Sequence, residues 1–335
     1  MSDTLQIGSS PHVAGPSSVD GIMRDVVIAL LPVVLFSVYH FGLAALATLV
    51  VATVTCLITE RLLTNESTLS DWSVVVTGLL LGLSLPPGLP LWMTALGAVV
   101  AVAVGKLLFG GLGCNAFNPA LVGRAFLAAA FPGAMTTWLA PGALDRYAAL
   151  PASTLTLPFT TPAYDGITAA TPLSSWKFSQ VQTETADLAF GLTAGSTGET
   201  CALLILLGGL YLFARRVANW RIPLALLSTV GILSAALHGL DPERFPDAGF
   251  ALLSGGLMLG AVFMATDTVA SPLTPLGAWL YGALIGLVTL AIRLFSGLPE
   301  GIMYAILIGN AVAPLIDRWI QPRVFGTGAA VRRWS

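Results

Sequence analysis

Long apolar runs alternate with short polar or Gly/Pro-rich breaks along almost the whole chain, and this pattern predicts membrane helices. A helix that crosses a membrane needs roughly 20 apolar residues, or somewhat fewer when it is a half-helix buried by protein. About ten segments meet this description, and the third and fifth are short and bounded by Gly or Pro. The segments are Val26–Gly42, Leu43–Thr59, Val74–Leu85, Leu91–Phe109, Pro119–Phe131, Cys201–Phe213, Ile222–Leu237, Phe250–Ala265, Leu276–Leu294 and Ile302–Ile316.

The distribution of basic residues predicts how these segments are oriented. Lys and Arg resist translocation when they flank a membrane span. With ten spans and a cytoplasmic N-terminus, eleven of the fifteen basic residues fall on or near the cytoplasmic side. Arg146, Lys177, Arg244 and Arg293 fall outside. We therefore predict cytoplasmic tails over residues 1–21 and 318–335, and an external loop over residues 132–200.

The two apolar regions, residues 22–131 and 201–317, resemble each other in three short strings. The pairs are Gly78–Gly82 with Gly256–Gly260, Lys106–Phe109 with Arg293–Phe295, and Val122–Ala125 with Ile308–Ala311, at shifts of 178, 187 and 186 residues. The constant order predicts two repeats of five spans, and an odd number of spans forces the repeats into opposite orientations. Chance similarity between helices rich in Gly and Leu is the alternative.

The predicted fold is therefore an all-α polytopic membrane protein with two inverted five-span repeats, broken half-helices and one external loop region. In such folds the broken helices meet near the middle of the membrane. The breaks at Pro86–Pro87, Gly110–Pro119 and Thr266–Pro275 are expected to face one another there.

Composition agrees with a membrane location and excludes several functions. Of the 335 residues, 56% are hydrophobic and 10% are charged, whereas roughly a quarter are charged in an average soluble domain. The basic residues are scattered and the net charge is -2, so nucleic acid is not an expected partner. The chain also lacks the glycine fingerprint of a dinucleotide-binding site.

The three cysteines and three histidines show no metal-ligand spacing, so we predict no metal site. Three thiolates cannot complete the four-ligand set of an iron–sulfur cluster. Small buried side chains are the expected role of Cys56, Cys114 and Cys201. The alternative is that Cys114, in a Gly-rich break, shares a cluster with a partner.

Four ionisable residues lie near the predicted breaks, namely Lys106, Arg124, Asp267 and Glu300. Charges at membrane depth are costly and usually face a cavity or a partner. Arg124 and Asp267 are therefore candidates for contact with a cofactor or an ion, and their order in the two halves predicts that they oppose each other. Each candidate also has a structural alternative. Arg124 could cap carbonyl groups of the break, and Asp267 could cap a half-helix.

The external loop contains one string that differs from the rest of the chain, residues 161–173, with the letters TPAYDGITAATPL. It combines small residues, one carboxylate at Asp165 and spaced hydroxyl groups that include Thr168 and Thr171. Pro172 keeps Thr171 out of helical geometry, so its hydroxyl is expected to be exposed and reachable by another enzyme. An Asx-turn in an ordinary loop is the alternative.

This string resembles the flavinylation site of the D subunit of the Rnf electron-transport complex and of the related B subunit of the sodium-pumping NADH:quinone oxidoreductase. Asp165, Thr168, Ala170 and Thr171 match the family pattern, and Ala169 departs from its usual Gly. The resemblance implies that a flavin transferase joins FMN to Thr171 through a phosphoester. Asp165, Gly166, Thr168 and Ala170 then belong to the surrounding recognition pattern.

Further strings extend the resemblance over nearly the whole chain. They include Ser10–His12, Asn118–Ala120 and Met264–Asp267, and the short N-terminal tail favours the D subunit. The implied protein is one subunit, not catalytic alone, of a translocase that couples electron transfer between ferredoxin and NAD(H) to sodium or proton movement. Other Rnf subunits, including iron–sulfur and flavin subunits, and membrane lipid are its implied partners.

The resemblance also implies a bacterial inner membrane location, with both termini cytoplasmic and the flavin loop periplasmic. Likeness to the B subunit allows a second, non-covalent flavin, riboflavin, among the spans. Two other functions stay open on the residues alone: an inverted-repeat channel or secondary transporter without flavin, and a membrane scaffold without a cofactor. Flavin on Thr171 would distinguish the redox subunit from both of these alternatives.

Overall fold

The structure is a computed structural model that describes residues 18–64, 72–158, 160, 169–199 and 201–322. Within these ranges every regular element is helical, as predicted. The α-helices in chain order are α1 (Val19–Phe41), α2 (Leu43–Leu63), α3 (Ser73–Ser84), α4 (Leu91–Ala103), α5 (Pro119–Ala130), α6 (Pro132–Met135), α7 (Pro172–Ser179), α8 (Thr185–Phe190), α9 (Ala202–Ala214), α10 (Arg221–Leu240), α11 (Ala248–Leu253), α12 (Leu257–Leu259), α13 (Pro275–Phe295) and α14 (Ile302–Trp319). Short 3₁₀ helices lie at Leu107–Phe109 and Ala152–Leu155, and a π-helical turn at Gly260–Met264 continues α12.

Helices overlap each of the predicted apolar segments, and five of the described helices are long and apolar enough to cross a membrane. These five are α1, α2, α4 with its 3₁₀ extension, α10 and α13. Three shorter apolar helices, α3, α5 and α9, accompany them. By helix length and composition, the chain is a membrane protein with several spans.

The first helix begins at Val19, so the predicted start at Val26 is wrong. Ser18 caps the helix, because its hydroxyl oxygen accepts a hydrogen bond of 3.1 Å from the backbone N–H of Gly21. Asp20 adds a negative charge in the first turn, where the helix dipole favours it. Polar residues before the apolar run therefore belong to the helix.

The eighth predicted segment, Phe250–Ala265, is not one continuous helix, and that prediction is wrong. The chain breaks after α11 because Gly255 has a φ of +63°, a backbone conformation that favours glycine. The guanidinium of Arg293 compensates for the lost helical hydrogen bonds. It donates to the carbonyl oxygens of Ala251 at 2.6 Å and Ser254 at 2.9 Å.

Glycines allow close helix packing at corresponding places in the two halves of the chain. An added Cβ at Gly123 of α5 would lie 2.6 Å from the carbonyl oxygen of Gly97 in α4. An added Cβ at Gly309 of α14 would lie 2.8 Å from Ile285 Cγ1 in α13. Small residues at such positions let helix backbones approach each other within a membrane.

The helices of the predicted external loop are anchored on the membrane helices. Leu173 and Trp176 of α7 pack with Leu188 of α8 and Phe250 of α11 in one small apolar cluster. The ammonium group of Lys177 donates to three carbonyl oxygens at and beyond the end of α13. Partial burial lowers the pKa of Lys177 from its usual value. These contacts hold the start of α7 at one end of the helix assembly.

The last part of that loop enters the protein interior. The backbone N–H of Thr197 donates to the carbonyl of Leu85 at 3.0 Å, and that of Gly198 donates to the carbonyl of Leu83 at 2.7 Å. Ser37 of α1 donates in turn to the carbonyl of Thr197. The segment thereby satisfies carbonyl groups at the end of α3 and carries Glu199 into a buried position.

Candidate functional site

Thr171 is the N-cap of α7. Its backbone is extended, with φ -71° and ψ 154°, and its hydroxyl oxygen accepts a hydrogen bond of 3.2 Å from the backbone N–H of Ser174. The two hydroxyl groups of Thr171 and Ser174 also lie 2.8 Å apart. Pro172 occupies the first helical position, which it favours because it lacks an N–H.

The predicted non-helical geometry of Thr171 is therefore confirmed, but its hydroxyl is a half-buried helix cap and not a free loop hydroxyl. Asp165, Gly166 and Thr168 of the predicted motif lie outside the described residues. Ala170 is exposed. The backbone N–H of Ala169 donates to the carbonyl of Trp138 at 3.1 Å, which ties the end of the motif to the loop after α6.

A cavity of about 10 Å³ lies beside Thr171, which is room for about one water molecule. Its wall includes Leu173, Glu199, Gly255 and Glu300. The tertiary structure thus brings the predicted flavin acceptor next to two carboxylates and to the break between α11 and α12.

Arg124 joins these two carboxylates. Its Nη1 lies 3.1 Å from Glu199 Oε1, and its Nη2 lies 2.6 Å from Glu300 Oε2. Glu300 Oε1 also accepts a hydrogen bond from the backbone N–H of Gly256. Together with Arg293, which holds the carbonyl groups before the break, these residues form what we call the arginine–glutamate cluster (Arg124, Glu199, Arg293 and Glu300).

The cluster balances two positive and two negative formal charges around the break. Removal of one partner from a buried ion pair leaves an uncompensated charge, which is far more costly than loss of the pair's mutual attraction. The alternative that Arg124 caps backbone carbonyls is wrong, because its described hydrogen bonds go to carboxylates. Arg293 performs that capping instead.

Three members of the cluster are not among the site residues predicted from the sequence, although Glu300 is one of the four ionisable residues noted near the breaks. Glu199 falls at the end of a long polar stretch, so its burial is invisible in the local pattern, and its only signal is its position just before an apolar run. Arg293 is predicted to lie outside, although its similarity to Lys106 in the other half is a usable signal.

Asp267 belongs to a separate polar group near the start of α5. Its Oδ2 accepts a hydrogen bond of 3.2 Å from the side-chain amide of Asn115, and its Oδ1 accepts one of 3.0 Å from the backbone N–H of Val269. The prediction that Asp267 caps a half-helix is wrong, since Thr274 caps the next helix, α13.

A cavity of about 110 Å³ adjoins Asp267. Asn115, Asn118, Thr266 and Lys106 contribute polar groups to its wall, while apolar side chains from four helices form much of the remainder. The ammonium of Lys106 is engaged by Glu60 at 2.7 Å and by the hydroxyl of Ser73 at 2.6 Å. This cavity has the mixed lining of a small-molecule site.

Arg124 and Asp267 share no contact, so the structure does not bring the two candidates together. Asp267 contacts residues before the Asn118 cap of α5, and Arg124 follows that cap by six residues, or about 9 Å along the helix. They therefore do not face each other within one site. Asp267 contacts residues before α5 and Arg124 lies about half-way along it, so the two belong to different polar sites.

No group of three or more His, Cys, Asp or Glu side chains is placed to hold a metal ion within the described ranges. Cys56 and Cys201 are buried, as expected for packing residues, whereas Cys114 is exposed.

Comparison with known proteins gives consistent relationships over nearly the whole chain. The model of the NQR2, RnfD, RnfE family matches residues 6–326. The chain is 42% identical over 330 residues to the D subunit of the Na(+)-translocating ferredoxin:NAD(+) oxidoreductase complex of Acetobacterium woodii, covering 96% of this chain and 95% of the relative. It is 40% identical over 335 residues to the D subunit of the proton-translocating ferredoxin:NAD(+) oxidoreductase complex of Clostridium ljungdahlii, covering 96% of each chain. The D subunit of the ion-translocating oxidoreductase complex of Halorhodospira halophila is 38% identical over 341 residues, at 96% and 95% coverage.

Proposed function

Because the chain belongs to the NQR2, RnfD, RnfE family, we propose that it is the membrane-embedded D subunit of a multi-subunit ion-translocating oxidoreductase. In this complex, electron transfer between ferredoxin and NAD(H) drives sodium or proton movement across a bacterial inner membrane. The observation that supports this proposal is the similarity to D subunits of such complexes, which covers 96% of this chain and at least 95% of each relative. Iron–sulfur and flavin partners supply the entry of electrons.

Thr171 is the proposed attachment point of FMN, through a phosphoester made by a flavin transferase. A phosphate on this oxygen lies at the N-terminus of α7. The positive end of the helix dipole favours negative charge there. The N-cap geometry of Thr171 and its extended backbone support this assignment, because both keep the oxygen at the helix end.

The covalent flavin supplies a carrier of one or two electrons that cannot dissociate. The arginine–glutamate cluster lies beside its attachment point, and its buried charges contribute to the potential felt by the cofactor. Arg124 therefore acts in this proposal through the electrostatics of the site.

A second, non-covalent flavin, riboflavin, is proposed among the spans. The cavity beside Asp267 has a mixed lining, but its volume of about 110 Å³ is below the roughly 300 Å³ of small-molecule sites, so side chains must move to admit a flavin ring. Asn115, Asn118 and Asp267 contribute polar groups that already hydrogen-bond within the protein. Phe263 adds an aromatic surface. A flavin ring has polar edges and an apolar face, so it needs both polar and aromatic neighbours.

The two halves are proposed to be inverted five-span repeats within a ten-span fold. Lys106 in the first half contacts Ser73 at the start of α3, and Arg293 in the second half contacts Ala251 in α11. Lys106 and Arg293 differ by 187 positions, and Ser73 and Ala251 by 178, which are shifts of the predicted repeat. The matching glycine contacts at Gly123 and Gly309 support the same correspondence.

The test is to make the full-length chain with and without its flavin transferase and to view a denaturing gel under ultraviolet light. We expect a fluorescent band only with the transferase, its loss in Thr171→Ala, and partial retention in Thr171→Ser. Thr168→Ala and Asp165→Ala are expected to weaken labelling, and Ser174→Ala is a control that keeps the acceptor. Flavin mapped to Thr168, or none on the wild type, contradicts the assignment and favours a transporter without flavin.

A further inference from the structure

A cavity much larger than the one beside Thr171 lies at the end of α1 among the described residues. It encloses about 470 Å³ and is lined by residues that include His40, Trp138, Ala143 and Arg146. Small-molecule sites in proteins commonly enclose roughly 300–1,000 Å³. The cavity at Thr171 encloses about 10 Å³, which is too small for an aromatic ring system.

The flavinylation motif leads directly to the wall of this larger cavity. Ala169 is hydrogen-bonded to the carbonyl of Trp138, and Thr171 follows Ala169 by two residues, which span at most about 7 Å when extended. In FMN bonded through its phosphate, the ribityl chain separates the isoalloxazine ring from the ester oxygen. The ring therefore belongs at a distance from Thr171, within reach of the cavity.

The lining residues have the chemistry that a flavin ring requires. The His40 ring is 8% exposed and stacks on Phe36 with 5.4 Å between ring centroids. Its Nε2 has no hydrogen-bond partner among the described residues, and a buried polar atom in that state is costly until a partner is supplied. Phe41 and Trp138 add two more aromatic residues to the wall.

A fixed positive charge is also present. The guanidinium of Arg146 donates to the carbonyls of Tyr39 and Ala143. It also lies 5.6 Å and 4.8 Å from the ring centroids of Tyr39 and Tyr147. Positive charge near a flavin stabilises its reduced, anionic form. Asp145 on the same wall is exposed and makes no ion pair in the described part of the chain.

We infer that this cavity receives the isoalloxazine ring of the flavin bonded to Thr171. The inference rests on the proposed attachment and adds its ring site, with Trp138 and His40 as aromatic walls and Arg146 as the charge that favours reduction. The smaller cavity beside Asp267 is lined by a different set of residues and is not part of this ring site.

The test uses the full-length chain made alongside its transferase and compares Ala143→Trp with Leu144→Trp. Ala143 lines the cavity, whereas the neighbouring Leu144 is fully exposed and is not part of its lining. We expect both variants to keep the fluorescent band. A ring that is 70–90% covered becomes roughly three- to tenfold more accessible when displaced, so iodide quenching should rise by that factor in Ala143→Trp alone.

A redox titration gives an independent readout. Arg146→Gln should lower the midpoint potential of the covalent flavin, and Arg146→Lys should keep it because the charge remains. Wild-type quenching in Ala143→Trp, or a wild-type potential in Arg146→Gln, overturns the ring site while leaving the attachment intact. A wild-type chain without covalent flavin overturns the attachment itself, and the ring site with it.

Discussion

At the scale of single residues, the same oxygen of Thr171 has a structural and a proposed chemical role. It accepts the hydrogen bond that caps α7, and it is the proposed ester oxygen. Esterification removes the hydroxyl hydrogen but leaves an oxygen that can still accept. Attachment of flavin and formation of α7 are therefore compatible.

The cap role predicts a stability change that does not depend on flavin. Removal of an exposed loop hydroxyl, which is what the sequence predicts for Thr171, changes stability by no more than roughly 0.5 kcal/mol. Loss of an N-cap instead costs about 1 kcal/mol, within roughly 0.5–2. We expect Thr171→Ala, made without transferase, to lower the free energy of unfolding by that amount and Thr171→Ser to retain most of it. Equal denaturation midpoints for wild type and Thr171→Ala argue against the cap.

The arginine–glutamate cluster predicts a larger effect. Arg124→Ala leaves the buried carboxylate of Glu199 and the part-buried one of Glu300 without their shared cation. Breaking a buried pair costs about 3–5 kcal/mol. Arg244→Ala is the control, because the Arg244 side chain is exposed and surface substitutions usually change stability by no more than about 0.5 kcal/mol. Thermal unfolding in detergent distinguishes the two. Similar losses in both variants contradict the importance assigned to the cluster.

At the scale of elements, the break between α11 and α12 organises the site. Gly255 has a positive φ, and an added Cβ would lie 2.6 Å from Leu173 Cδ1 and 3.1 Å from Glu300 Oε1. One glycine thus allows α7, the Glu300 loop and the broken helix to meet. The wall beside Thr171 depends on this approach, because Leu173 and Glu300 belong to it.

We therefore expect Gly255→Ala to destabilise the protein and loosen α7. A strained backbone conformation costs about 1–3 kcal/mol, and displacement of Leu173 adds to that cost. Gly239→Ala is the control, since Gly239 lies in α10 with nothing within 4 Å of an added Cβ. Limited proteolysis and unfolding curves should single out Gly255→Ala. If both glycine variants resist protease like the wild type, the break does not hold α7.

At the scale of the whole molecule, one polar site lies at the start of α5 and the other about half-way along it. Asn118 caps the helix beside the Asp267 cavity, and Arg124 reaches the cluster near Thr171. Paired contacts of α2, α4 and α5 resemble those of α10, α13 and α14. In the proposed inverted topology, the two sites therefore face opposite sides of the membrane.

That topology is tested with single cysteines. In a chain otherwise free of cysteine, Leu144→Cys should react with a membrane-impermeant thiol reagent in intact cells, because the proposed external loop carries it and its side chain is fully exposed. In a second variant that keeps Cys114 as its single cysteine, this exposed residue should react only after permeabilisation. The reverse labelling pattern excludes an external flavin.

The local features of this chain follow from its amino-acid sequence. Helix positions follow from apolar run length, and the extended Thr171 follows from Pro172, because both depend on residues adjacent in the chain. The break at Gly255 does not follow in this way, since two adjacent glycines permit a break without requiring one.

By itself, the sequence determined the all-helical membrane character and, through motif order, the family. Only the tertiary structure decided that Arg124 pairs with Glu199 and Glu300, which lie 75 and 176 residues away. It also decided that Asp267 belongs to another site. The physical reason is that hydrophobic length and backbone preference act over a few residues, whereas the partner of a buried charge is chosen by packing between distant helices.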